Sequence, residues 1–147
     1  MRRVALAGAL VASVWASLAN AWEEPARGST TRAQLMEAIR PHAEWRLGSP
    51  VEFVIHDLRQ SGALAFASVH AQRPGGGAID PTRTPGYLRG EIALDGSDWA
   101  SLQALYVRSG STWVAVHWVM GAGDVWWAWG PLCAVWRPVI AEVCEGL

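Results

Sequence analysis

From Thr30 to Leu47 the apolar positions gather on one side of a helix. Leu35, Met36, Ile39, Ala43 and Leu47 fall within about 120° of one another at about 100° per residue. Glu37, Arg40 and Glu44 take the opposite side, at spacings that let them pair. Thr30 or Thr31 supplies a cap, and Gly48-Ser49-Pro50 a stop. Pro41 lies inside the pattern on its polar side, so a kink or a split is expected there.

At Val51 the period changes from helical to alternating. Val51, Phe53 and Ile55 alternate with polar residues, and Ser61-Gly62 offers a turn. A first hairpin is predicted over residues 51–60 and 63–72, and a second over 99–108 and 112–120, turning at Ser109-Gly110-Ser111. Between them, residues 75–98 are rich in Gly and Pro and show no periodicity. Asp124 is placed to cap a short helical turn through Val125, Trp126, Trp127 and Trp129, before Gly130-Pro131 breaks the chain. One helix, two hairpins and a short helical tail describe an α+β fold, an antiparallel sheet of about four strands with the helix packed on one face. The other face of such a sheet is free for solvent or ligand.

The first 21 residues read differently. Arg2-Arg3 precede an apolar run from Val4 to Leu18, and Ala19-Asn20-Ala21 matches a signal-peptidase site. The run is shorter than the roughly 18 residues of a membrane span. A signal peptide over 1–21, cleaved after Ala21, a flexible leader over 22–30 and a single domain over 31–147 are expected. The protein is then periplasmic or secreted, with no transmembrane segment in its mature form. An oxidising compartment would join Cys133 to Cys144, the alternative being two free buried thiols. On one continuous helix, residues eleven apart sit about 16 Å apart along the axis. A disulfide needs Cα atoms about 4.4–6.8 Å apart. The chain must therefore turn back between the cysteines, and Pro138 is the expected break.

Gly48-Ser49-Pro50-Val51-Glu52-Phe53-Val54-Ile55, Gln72-Arg73-Pro74-Gly75-Gly76, Thr112-Trp113-Val114 and the Gly121–Trp129 segment resemble a family of small exported bacterial proteins without an assigned activity. The resemblance spans residues 32–129 and stops before the cysteine-bearing tail. The order of helix and sheet is also similar to nuclear-transport-factor-2-like and cystatin-like folds, a likeness that bears on fold rather than function.

Composition narrows the chemistry. The net charge of −1, more negative still without Arg2 and Arg3, argues against nucleic acid as a partner. Tryptophan is the anomaly, at ten residues. A chain poor in Leu, Ile and Phe can build its core from tryptophan. Exposed rings instead make a contact surface, and Trp126, Trp127 and Trp129 are the candidates, since one of the adjacent pair should point outward. Strand alternation predicts Trp113 and Trp118 on opposite faces.

His70 and His117 are candidates for a pocket between helix and sheet, where a histidine and a carboxylate would act as acid and base. His56-Asp57, with His70 and His117, does not match a metal-ligand spacing, and parity separates His56 from Asp57 unless a bulge intervenes. Neither a metal nor a cofactor is expected. There is no G-x-S-x-G elbow. Gly75-Gly76-Gly77 lacks the lysine and helix of a phosphate loop. Asp80, Asp95 and Asp98 have no evident partner for glycosidase chemistry. The expectation is a non-enzymatic interaction or inhibitor-like module that binds another protein or an envelope component. The alternative is a ligand-binding α+β cone.

Overall fold

The computed structural model describes residues 21–95 and 98–147, so the expected signal peptide lies outside the described residues apart from Ala21. Helix α1 spans Thr30–Leu47. Its N-cap is Ser29, one residue before the expected cap, whose hydroxyl accepts from the Arg32 amide at 3.2 Å. Gly48 ends it at φ +74°, donating its amide to the Glu44 carbonyl. Pro41 does not split the helix. It sits on the exposed face, where water can take the carbonyl left without a donor. The predicted stripe is the buried one: Leu35, Met36, Ile39, Ala43 and Leu47.

Strands β1 (Glu52–Ser61), β2 (Leu64–Gln72), β3 (Ser101–Ser109) and β4 (Thr112–Met120) form an antiparallel sheet in the order β1-β2-β3-β4. Two irregularities set which side chains share a face. In β1, Ile55 pairs with Val69 and Asp57 with Ser68, so His56 is an extra residue. In β4, Leu105 pairs with His117 and Tyr106 with Ala115, so Val116 is an extra residue. The second bulge corrects the expectation for the tryptophans. Trp113, Ala115, Trp118 and Met120 all belong to the α1 face, and the Trp118 ring stacks on His42 of α1 at 4.6 Å.

Helix α1 seals that face. Leu35, Ile39 and Leu47 pack on Val69, Leu102 and Tyr106, while Ala65, Ala67 and Ala104 keep the middle of the sheet low enough for close approach. Arg73 fastens the end of α1 by donating to the carbonyls of Leu47, Gly48 and Pro50. The irregular stretch after it holds a 3-10 turn (Pro81–Arg83) and a single helical turn, α2 (Pro85–Leu88). Gly86 of α2 is buried against α1, where a Cβ would lie 2.8 Å from the Arg46 carbonyl.

The opposite face is partly covered by α3 (Gly130–Ile140). Leu132, Cys133, Trp136, Val139 and Ile140 pack on Phe66 and Leu105 to form a second apolar cluster. Two expectations are corrected here. Gly130-Pro131 opens this helix instead of breaking the chain, because proline's fixed φ suits a first helical turn. Pro138 lies within α3, and the turn back begins at Ile140 (φ −134°), followed by a 3-10 turn over Ala141–Val143. That reversal brings Cys144 to 5.6 Å from Cys133, Cα to Cα, and the disulfide forms.

Of the flexible leader expected over 22–30, Glu23 bridges to Gln60 of β1, and Ser29 and Thr30 already belong to the cap and start of α1. Glu23 and Gln60 exchange two backbone hydrogen bonds at 2.8 and 2.9 Å, and Pro25 is buried. No helix among the described residues is long and apolar enough to cross a membrane.

Candidate functional site

Between β4 and α3 the chain runs as hydrogen-bonded turns, with the Ala128 amide on the Val125 carbonyl and that of Trp129 on the Trp127 carbonyl. The expected helical turn is absent from this stretch. The turns deal the three tryptophans into different roles. Trp127 packs on Phe66, ring centres 5.2 Å apart. Trp126 meets Trp127 edge to face at 5.7 Å. Both are half-buried against the second cluster, so the adjacent pair does not divide into one inward and one outward ring. Trp129 is the outward one, 60% exposed at the start of α3.

Trp126, Trp129 and Leu132 form one wall of a cleft of about 330 Å³, and Val116, His117, Trp118 and Val119 of β4 form the other. The size is at the lower end for small-molecule sites, about 300–1,000 Å³. No charged residue lines it, and His117 is its one titratable group. The Trp126 Nε1–H is buried and has no acceptor among the described residues. A buried donor left unpaired costs about 1–3 kcal/mol. The cleft thus combines a flat exposed ring with aliphatic walls.

The histidines do not meet. His117 packs its ring edge-on to Trp136 at 5.4 Å. His70, on β2, lines a separate hollow of about 260 Å³ with Trp99 and the Gly76–Ile79 loop. Its Nδ1 is 3.4 Å from an Asp98 carboxylate oxygen, and the His56 ring lies 6.5 Å away. Contrary to expectation, His70 and His117 do not line a space between helix and sheet. They alternate with the inward Val69, Ala71 and Trp118, so they face away from α1. A cleft of about 370 Å³ does open between the first half of α1 and the start of β4, lined by Ala33, Gln34, Glu37, Thr112 and Trp113 among others, and neither histidine reaches it.

The β1 bulge intervenes as parity required for His56 and Asp57 to share a face, yet Asp57 is already engaged. Arg59 binds it through Nη2 at 2.6 Å and Nε at 3.0 Å, donates to the Val139 carbonyl and Glu142, and lies 4.8 Å over the Trp22 ring. Burial disfavours the Arg59 charge, but its bonds to Asp57 and Glu142 outweigh that and raise its pKa. This network clamps the leader, β1 and the C-terminal turn together, which is a structural use of the carboxylate rather than an acid–base one. Among the described residues, no group of three or more His, Cys, Asp or Glu is placed to hold a metal ion.

The cleft residues that sequence reasoning missed are Val116, Val119 and Leu132. A signal for the first existed, since Trp113 and Trp118 can both face the core only if an extra residue lies between them. Compared with protein-family models, curated proteins and solved structures, the chain matches none.

Proposed function

We propose that the chain is a small, exported, non-enzymatic binding protein that uses the Trp129-rimmed cleft to engage another protein or an envelope component. The observation that carries this reading is an exposed Trp129 at the rim of an uncharged cleft. Tryptophans at a contact bury large areas at little entropic cost, and few other residues dominate interfaces so strongly. The Cys133–Cys144 disulfide supports export, because such bonds persist in oxidising compartments. N-terminal sequencing of exported material should begin at Trp22, and a chain that retains Met1 contradicts the export reading.

The acid–base alternative draws on His70 beside Asp98. Their hollow of about 260 Å³ is smaller than typical substrate sites, and the pair is well exposed to water, so binding at the other cleft is the better-supported reading. A photo-crosslinking residue in place of Trp129 separates the two. On exposure to the native envelope fraction it should capture one discrete partner. The same residue at position 70 should capture none, and the reverse result moves the function to His70.

A further inference from the structure

The two edges of the sheet are built differently. Along β1 the leader occupies part of the edge through the Glu23–Gln60 backbone bonds, Arg40 caps the Val51 carbonyl, and Glu52, Asp57 and Arg59 add charge. Charge and cover are the usual guards of an exposed strand edge. Strand β4 lacks the charge, and α1 packs on one of its faces, with His42 stacked on Trp118. Its nine residues, Thr112–Met120, carry no Asp, Glu, Lys or Arg. Val114 and Val116 are 47% and 45% exposed. Among the described residues the one group that reaches its outer backbone is Arg46, with a long 3.4 Å contact to the Met120 carbonyl.

What fits an uncharged antiparallel edge depends on which side chains share each face. Trp113, Ala115, Trp118 and Met120 are on the α1 face, and Val114, His117 and Val119 on the α3 face, because the extra Val116 shifts the phase in mid-strand. In an antiparallel pair, opposed residues must share a face, and a slip of one residue reverses every match. A second β4 meets this condition along its length. With Trp113 opposite the partner's Met120, Val114 opposite the partner's Val119 and Ala115 opposite the partner's Trp118, each pair lies on one face. Val116 and His117 then sit at the two-fold axis. Neutral against neutral, no like charges are opposed at any of these positions.

From these observations we infer that the β4 edge is a self-association surface on which a second copy of the chain docks antiparallel, extending the sheet across a two-fold axis. The guarded β1 edge prevents head-to-tail growth, so the assembly closes at two copies instead of continuing as a fibre. Since Val116 and His117 also line the cleft, the axis sets two clefts side by side on one surface. The inference does not rest on what the cleft binds.

The test uses the purified, disulfide-bonded chain. Light scattering and sedimentation velocity should give twice the chain mass at high concentration and a shift toward one chain on dilution. Val116→Lys should weaken association about tenfold or more, equivalent to about 1.4 kcal/mol or more. Val54→Lys, an exposed position on the guarded β1, should leave association unchanged. In the unsubstituted chain, amide exchange over residues 112–119 should quicken on dilution while β2 stays protected, a readout that needs no variant. A single-chain mass at every concentration overturns the inference, as does a dimer indifferent to Val116→Lys. Amides of β4 that become protected only when envelope extract is added overturn it too, because the edge then belongs to a different partner.

Discussion

Removing the Trp136 ring should undock α3 from the sheet at a cost that the structure allows to be divided. The side chain is 5% exposed, sits at the centre of the second cluster, and donates its indole N–H to the Tyr106 carbonyl at 2.9 Å. That carbonyl lies at the register shift between Leu105 and Tyr106. Truncating a buried tryptophan to alanine costs about 3–5 kcal/mol in transfer and cavity terms. The hydrogen bond adds about 1 kcal/mol, and the acceptor is left buried. Trp136→Ala should therefore lose about 4–6 kcal/mol, close to the whole stability of a marginal domain. Trp136→Phe keeps most of the ring area and should lose about 1–2 kcal/mol. Urea titration followed by far-UV circular dichroism, with the disulfide intact, measures both. Trp45→Ala, at a site 67% exposed, serves as the control and should change stability by less than about 0.5 kcal/mol. If Trp136→Ala costs under about 1 kcal/mol, or if phenylalanine costs as much as alanine, α3 is not held by this ring and the packing argument fails.

Reducing Cys133–Cys144 should lower stability by about 3 kcal/mol, the chain-entropy value for so short a loop, as read by urea midpoints with and without reductant. Gly86→Ala should cost about 1–3 kcal/mol, because its Cβ would fall 2.8 Å from the Arg46 carbonyl; thermal unfolding checks this. Burial raises the pKa of Tyr106, whose hydroxyl has no partner, so the folded chain holds it neutral while the unfolded chain ionises it above about pH 10. Its contribution is present below that pH and lost as pH rises. Tyr106→Phe should be neutral or stabilising near pH 7 and should move alkaline unfolding to higher pH, while a loss above about 2 kcal/mol would show that the hydroxyl is satisfied after all.

What could be read from the chain was set by how far each residue's role depends on its near neighbours. The α1 stripe and both hairpins follow from spacing alone, and β4 occupies the predicted residues, because Ser109-Gly110-Ser111 fixes where it begins. The phase within the strands was not legible. One extra residue, Val116, moves Trp118 from the predicted face to the other, and His56 does the same for Asp57. A bulge depends on the partner strand, so it leaves little local trace. Proline was ambiguous for a related reason. Pro131 and Pro138 both permit a break, but Pro131 sits in a first helical turn, which tolerates the ring, while α3 continues through Pro138 and ends two residues later at Ile140. The division of the tail tryptophans into half-buried Trp126 and Trp127 and exposed Trp129 depends on the turns between β4 and α3. Leu132 entered the cleft with the unanticipated extent of α3.

The most direct test of the binding reading is a comparative capture from the native envelope fraction with three immobilised baits: the unsubstituted chain, Trp129→Ala and Trp45→Ala. Both substituted rings are exposed, so both variants should fold as the unsubstituted chain does. The account expects one protein or envelope component retained by the unsubstituted chain and by Trp45→Ala, and lost on Trp129→Ala. Retention by all three baits, or by none, would contradict a contact surface at the Trp129 cleft.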